Sequence, residues 1–256
     1  PATARRGVGG HNGDPMTFTT SKSSLPTHGD HEPAGHRYLG LDWFEWVCLV
    51  VLAGLSMVVL APLLLKGRML SGADGLFPPD QLQYLTWIRE AGDHWLIGNR
   101  FDLRTDTRVF LHPGFLISGL VHRWFGVSLA VSFIAIWKPL AVAVAFIGCL
   151  AYTRRLLPQR WPARTGLAMA LFLVMPWSGL AKTTGWGGPP GQYQLDFISG
   201  ELWTVQTLLG YMMTAVAVFA VPLVLLGLEK ARSGGRKWLL LACSLGGAWV
   251  MWLQPW

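Results

Sequence analysis

The chain alternates long apolar runs with short polar connections, and this alternation predicts a helical membrane protein. Each run is near the length of about 20 residues that crosses the hydrocarbon core of a bilayer as a helix. Proline and glycine inside such runs are compatible with membrane helices, because neighbouring helices satisfy the freed backbone groups. The predicted fold class is all-α, a multi-pass transmembrane helical protein with about five spans. These spans lie near residues 44–65, 127–152, 164–181, 202–228 and 238–256.

A polar segment, residues 66–126, separates the first two predicted spans and predicts an amphipathic helical loop. A Pro-Pro pair precedes Asp80 and a glycine stands at 92, which predicts one helix between them, since proline suits a first turn and glycine a helix end. One face of this helix would carry a mixed stripe that lies along the membrane interface. The apolar stretch 114–125 is too short to span and predicts a re-entrant or interfacial segment. The stripe consists of Asp80, Tyr84, Trp87 or Ile88, and Ala91.

The two ends of the chain differ from its middle. Residues 1–40 are rich in Gly, Pro, Ser, Thr and His, which predicts a disordered tail, because such a segment buries too little surface to offset its ordering entropy. Residues 41–256 form the predicted transmembrane domain. The chain begins at Pro1 without an initiator methionine and stops at Trp256 at the end of an apolar run, so we expect a fragment of a longer protein.

The number and distribution of charged residues also indicate a membrane protein and predict its orientation. Charged residues make up 14% of the chain, against about 25% in soluble domains. The basic residues form short clusters beside apolar runs, so they indicate membrane topology and no nucleic-acid partner. Clusters lie in the tail, at 154–164 and at 230–237. The positive-inside rule then places the N-terminus and both basic loops in the cytoplasm of a cell-membrane protein, with the 66–126 loop on the outer face.

Few residues suggest a cofactor. The three cysteines, Cys48, Cys149 and Cys243, lie inside apolar runs and are expected to be buried thiols. No metal-binding motif or phosphate-binding glycine loop is visible, so no metal site and no certain cofactor is predicted. A divalent metal stays open as an alternative, because a pair of outer acids would hold one.

The outer loop holds the candidate chemistry. Asp80 is the first candidate acid and Asp74 the second, although each has a structural explanation: a helix dipole favours a first-turn acid, and turns favour aspartate. A set of arginines with His112 either faces solvent and lipid headgroups or holds a phosphate, which guanidinium groups bind in a bidentate way. The arginines are Arg89, Arg100, Arg104 and Arg108.

The motif Asp80-x-x-x-Tyr84-Leu-x-Trp87-Ile-Arg89, directly after the first predicted span, resembles the GT-C-type membrane glycosyltransferases. It is closest to uncharacterised bacterial multi-pass proteins of that type, and the resemblance covers roughly residues 43–155. It implies transfer of a sugar from a polyprenyl-phosphate carrier, a lipid-linked donor, to an acceptor at the outer face. Asp80 would be the catalytic base, with Asp74 as second choice. The implied substrate-binding residues are Tyr84, Arg89, Arg100, Arg104, Arg108, His112 and Lys182.

Two other functions stay open. Lys138 lies inside the second predicted span, where a charge marks a functional site unless its side chain reaches the headgroups. Together with Pro139 it hints at a multi-pass transporter. A non-catalytic membrane subunit would also explain the many tryptophans. The glycine-rich, aromatic segment 183–199 either lines a sugar site or forms a simple hairpin between spans.

Overall fold

Helices make up nearly all of the chain that the computed structural model describes, which confirms the all-α class. The described residues are 39–60, 65, 67, 69–72, 78–98, 107–173, 204–234 and 237–253. Nearly all of the predicted tail and the whole 183–199 segment lie outside them. Within them, a short antiparallel strand pair accompanies the helices, with Ile97 opposite Phe110.

The elements follow in chain order. Helix α1 continues as a 3₁₀ turn, Val58–Leu60, and α5 continues as a π-helical turn, Met169–Leu173. The bounds are α1 Trp43–Met57, α2 Pro78–Asp93, β1 Ile97–Gly98, β2 Arg108–Phe110, α3 Pro113–Phe125, α4 Leu129–Leu156, α5 Arg160–Ala168, α6 Thr204–Gly210, α7 Met212–Gly234 and α8 Lys237–Leu253.

Two of the described helices, α4 and α7, are long and apolar enough to cross a membrane. The prediction of five spans is therefore not supported, for reasons that differ from run to run. Helix α1 ends at Met57, and α8 has 17 residues. The fourth predicted span is interrupted at Tyr211, between α6 and α7. Helix α5 ends at Ala168 and its π-helical turn at Leu173, and the remainder of the third predicted span lies outside the described residues.

Helices α1 and α4 run antiparallel and are joined near both ends by polar contacts. Asp42 and Glu45 form a capping box that begins α1, each accepting the backbone N–H of the other. Arg154, near the end of α4, donates to both carboxylate oxygens of Glu45. Farther along, the Lys138 ammonium donates to the Ser56 carbonyl at 2.7 Å. These contacts fix α1 along most of the length of α4.

Helix α7 runs parallel to α4, and the two backbones touch. A Cβ at Gly148 would lie 2.1 Å from the carbonyl oxygen of Phe219, so only glycine permits this approach. Arg155 pairs with Glu229 nearer the C-terminal ends of both helices. Helix α8 then packs back along α7. Because α4 and α7 run parallel, the two basic clusters predicted from the sequence come to the same end of the bundle.

This basic end also holds a buried ion pair. Arg164 on α5 donates to Asp42 at 2.8 and 3.0 Å, and its guanidinium lies over the rings of Trp43 and Trp161. Burial opposes the charge on Asp42, but the Glu45 N–H and the Arg164 guanidinium outweigh it and hold the pKa of Asp42 below its usual value. The start of α1 is thereby tied to α5.

Helices α2 and α3 form a separate layer against the N-terminal part of α4. Gly126, with φ +65°, ends α3 and allows the short turn into α4. The Ser118 hydroxyl donates to the Ser132 carbonyl at 3.3 Å and accepts from the Trp137 indole at 2.8 Å. The stretch expected to be interfacial or re-entrant is thus a 13-residue helix packed as a hairpin against α4.

Candidate functional site

The first turn of α2 presents Asp80, the acid singled out from the sequence. Its Oδ2 atom accepts a hydrogen bond from the Tyr211 hydroxyl at 2.6 Å. Tyr211 is 8% exposed and lies between α6 and α7, while Asp80 is half-buried. A carboxylate with one oxygen fixed in this way can take a proton from a substrate hydroxyl at the other oxygen.

The helix is interrupted at one residue, Tyr211, between α6 and α7. The Tyr211 N–H donates to the Thr207 carbonyl at 2.8 Å, and the Tyr211 carbonyl accepts from Ala215 N–H at 2.8 Å. The Gln81 side chain adds a long contact to the Gly210 carbonyl, at 3.4 Å. Two neighbouring side chains of α2 therefore contact the residues at this helix break.

The stripe predicted on α2 is confirmed in its spacing but not in its surroundings. Trp87, Ile88 and Ala91 are buried. The Tyr84 ring lies 5.5 Å from that of Phe115 on α3 and 6.3 Å from that of Phe133 on α4, centre to centre. The stripe thus faces other helices of the protein and not the membrane interface.

A small apolar cavity lies where α2, α3, α7 and α8 meet. Its volume is about 40 Å³, which exceeds the roughly 10–15 Å³ that a water molecule requires but is too small for a sugar ring. The cavity brings together two of the predicted substrate-binding residues, Tyr84 and His112. Its lining consists of Tyr84, Trp87, Phe110, His112, Phe115, Met213 and Leu253.

His112 is engaged by the protein on both ring nitrogens. Its Nδ1 caps α3 by accepting the Phe115 N–H at 3.2 Å, so the proton is assigned to Nε2, which donates to the Leu253 carbonyl at 3.1 Å. Burial lowers the pKa of His112 from 6.5 to about 4. A neutral imidazole with both nitrogens occupied is not a cation for a phosphate. Next to it, Trp252 donates to the Leu111 carbonyl, so the end of α8 is held here as well.

The arginines of the described chain do not gather at Asp80. Arg89 follows Asp80 by nine residues, which places it about 14 Å along α2 and on the opposite side of the helix. Arg108, on β2, pairs with Glu90 at 3.3 Å. Asp74, Arg100, Arg104 and Lys182 lie outside the described residues.

The sequence pattern did not reveal the role of Tyr211, nor the partners of Lys138. Tyr211 falls inside an apolar run that predicts one continuous span, and only the Gly-Tyr pair at 210–211 hints at an interruption. Lys138 was visible, but its partners were not. Its ammonium is 3% exposed and donates to the carbonyls of Ser56 and Leu208 at 2.7 and 3.1 Å, so it does not reach toward headgroups.

The described part of the chain contains no group of three or more His, Cys, Asp or Glu side chains able to hold a metal ion. What the site offers is a carboxylate hydrogen-bonded to a phenol, one helical turn before Tyr84, which lines an aromatic cavity. Comparisons with protein-family models, with curated proteins and with solved structures found no match for this chain.

Proposed function

We propose that this chain is a multi-pass membrane glycosyltransferase of the GT-C type, acting at the outer face on a polyprenyl-phosphate-linked sugar. One observation carries the proposal. Asp80 stands in the first turn of a helix at the end of the bundle and is held by Tyr211, the residue that precedes the long apolar helix α7. A lipid-linked donor requires such a carboxylate close to the membrane boundary.

The surface of the bundle supports membrane insertion. Soluble proteins seldom expose large apolar areas, and such areas indicate contact with a membrane or a partner. Here α1, α7 and α8 each expose several large aliphatic or aromatic side chains. In our proposal lipid covers these side chains, and α1, α5 and α8 cross the bilayer together with α4 and α7. Examples are Val47, Val50 and Leu55 on α1, Val218, Val221 and Leu225 on α7, and Leu241, Leu245 and Met251 on α8.

The length of α4 supports a location for the Asp80 helix at the membrane face opposite the basic end of the bundle. Tyr84 packs against Phe133, near the start of α4, and Arg154 lies 21 residues farther along the same helix. At 1.5 Å per residue this separation is about 30 Å, the thickness of a hydrocarbon core. With the basic end in the cytoplasm, as the positive-inside rule requires, the Asp80 helix lies at the outer surface of the cell membrane.

Orientation can be tested with a membrane-impermeant thiol reagent on intact cells. Trp95, exposed beyond the end of α2, and Arg232, near the end of α7, are replaced by cysteine one at a time. We expect Trp95→Cys to react from outside and Arg232→Cys to react only after lysis. The reverse pattern would refute the orientation.

The proposed reaction needs a base and a cation. Asp80 takes the proton of the acceptor hydroxyl, the hydroxyl oxygen bonds to the anomeric carbon of the sugar, and the bond from that carbon to the carrier phosphate breaks. The departing phosphate carries negative charge that a cation stabilises. Arg89 and Arg108 are not directed to Asp80, so we assign this role to Arg100, Arg104 or Lys182, or to a divalent metal.

The test is turnover of a labelled polyprenyl-phosphate sugar in membranes that contain the full chain. Replacing Asp80 by Asn removes the base, and we expect transfer to fall by at least about 100-fold, within the range for general-base catalysis. Asp93→Asn is the matched control, because Asp93 belongs to the same helix and is 67% exposed. Absence of transfer by the wild type across a broad panel of donors would refute the proposal.

A transporter is the second candidate, and one observation favours it. Lys138 is buried and bonds to Leu208, close to the helix break at Tyr211, and transporters place charges and broken helices near the membrane midplane. A transporter would show uptake of a solute into sealed vesicles that is lost in Lys138→Met and unaffected by Asp80→Asn. The glycosyltransferase predicts the opposite sensitivity to Asp80.

A further inference from the structure

The hydrogen bond between Tyr211 and Asp80 joins residues that lie 131 positions apart in the chain. Its length, 2.6 Å, is within the 2.5–2.7 Å typical of a hydroxyl that donates to an ionised carboxylate. Such charge-assisted bonds are about twice as strong as neutral ones. The contact is therefore strong enough to determine how the Asp80 carboxylate is oriented.

Tyr211 is itself held firmly. It is 8% exposed, its backbone N–H donates to the Thr207 carbonyl of α6, and its carbonyl accepts from the Ala215 N–H of α7. The preceding helix α6 is fastened on two sides: the Leu208 carbonyl accepts from Lys138, and the Thr204 hydroxyl donates to the Ala170 carbonyl at 2.8 Å. The phenol thus belongs to a segment that is hydrogen-bonded to α4 and to the π-helical turn after α5, whereas Asp80 stands near the start of α2.

We propose that Tyr211 is the positioning residue for Asp80, an inference that rests on the function proposed above. The phenol fixes Oδ2, which leaves Oδ1 to receive the proton of the acceptor hydroxyl. Tyr211 does not touch the reacting atoms. It acts through Asp80, and removing its hydroxyl changes the orientation of the carboxylate.

The first measurement requires no turnover. A hydrophobic carbodiimide adds to a protonated carboxyl group and forms a stable N-acylurea, which mass spectrometry locates on the Asp80 peptide; Asp80→Asn shows that the adduct is assigned correctly. Tyr211→Phe removes one oxygen and keeps the ring. Since the phenol occupies Oδ2, its removal uncovers this oxygen, and we expect the variant to label about tenfold faster at a fixed neutral pH. Tyr152→Phe, on the exposed side of α4, is the matched control and should label at the wild-type rate. Equal rates for Tyr211→Phe and wild type would overturn the proposal.

The second measurement separates positioning from a purely structural tie. With the polyprenyl-phosphate sugar as substrate, we expect Tyr211→Phe to lower kcat about tenfold with little change in KM for the donor. Faster labelling with unchanged kcat would overturn the positioning role. If the wild type transfers no sugar while the labelling changes as expected, the proposed function fails and the hydrogen bond to Asp80 stands.

Discussion

The close contact between α2 and α3 gives a prediction with a definite sign. A Cβ at Gly119 would lie 2.5 Å from both the Gly92 nitrogen and the Ile88 carbonyl oxygen. These are backbone atoms, which cannot swing aside as the end of a flexible side chain would. Gly119→Ala must therefore push α2 and α3 apart by about 1 Å.

Two effects of opposite sign determine the size of the change. Overpacking a tight contact costs about 1–3 kcal/mol, while alanine gains about 1 kcal/mol over glycine in helix propensity. Because the neighbours of the added Cβ are backbone atoms at 2.5 Å, the overpacking cost lies near the upper end of this range, and we expect the free energy of unfolding to fall by about 2 kcal/mol. Gly246 on α8 is the matched control, because a Cβ there would meet only the Val224 side chain at 3.7 Å, an ordinary contact. Gly246→Ala keeps the propensity gain and should be neutral or stabilising.

The assay is thermal unfolding in detergent micelles, followed by tryptophan fluorescence. We expect a lower midpoint for Gly119→Ala than for wild type, and a midpoint at or above wild type for Gly246→Ala. Because α2 carries Asp80, the same displacement should also reduce the proposed sugar transfer, since a misplacement of about 1 Å costs a reaction about 100-fold. Equal midpoints for the two alanine variants would show that the backbones of α2 and α3 do not meet at Gly119.

Two further predictions concern buried titratable groups. The pKa of His112 is lower in the folded state, about 4, than its usual 6.5, so the stability it contributes is complete above pH 6.5 and is lost as the pH falls toward 4. The loss should approach about 3 kcal/mol and be absent in His112→Asn, which keeps the helix cap; an unchanged pH dependence in that variant would contradict the assignment. Asp42→Asn should destabilise by about 3–5 kcal/mol, since Arg164 is left buried without its carboxylate, whereas Arg108→Gln breaks an exposed pair and should cost below about 1 kcal/mol. Similar losses for Asp42→Asn and Arg108→Gln would show that burial does not determine how much these two ion pairs contribute to stability.

Local signals predicted the helix that carries Asp80. The expected helix from the Pro-Pro pair to Gly92 is found as Pro78–Asp93, with its stripe of aromatic and apolar residues buried. Helix starts, helix stops and 3.6-residue spacing are properties of neighbouring residues, so one sequence suffices to find them. The sequence does not indicate what covers the stripe, because α3 and α4 reach it through long-range packing.

Contacts between distant residues account for what the sequence did not predict. His112 was grouped with the arginines as a phosphate partner, yet its ring is buried against Phe115 and bonded to Leu253, 141 residues away. Tyr211 lay unmarked in an apolar run. Neither a hydrophobic pattern nor a short motif specifies such pairings, because hydrophobicity determines which residues are buried and not which partners they meet.

Lys138 shows how the irregular backbone beside the site is stabilised. The last carbonyls of a helix have no partner within that helix, and in an apolar bundle each would be costly. Ser56 stands in the last turn of α1 and Leu208 in the last turn of α6. The Lys138 ammonium donates a hydrogen bond to the carbonyl of each. The Lys138 ammonium thus satisfies backbone carbonyls at the ends of two helices, and one of these ends directly precedes Tyr211. The Tyr211 phenol that donates to Asp80 therefore follows a helix end that Lys138 stabilises, although an unpaired charge would be costly to bury there. On this argument the lysine is buried because the backbone next to the site requires donors, and a role as a solute-binding charge is not needed to explain it.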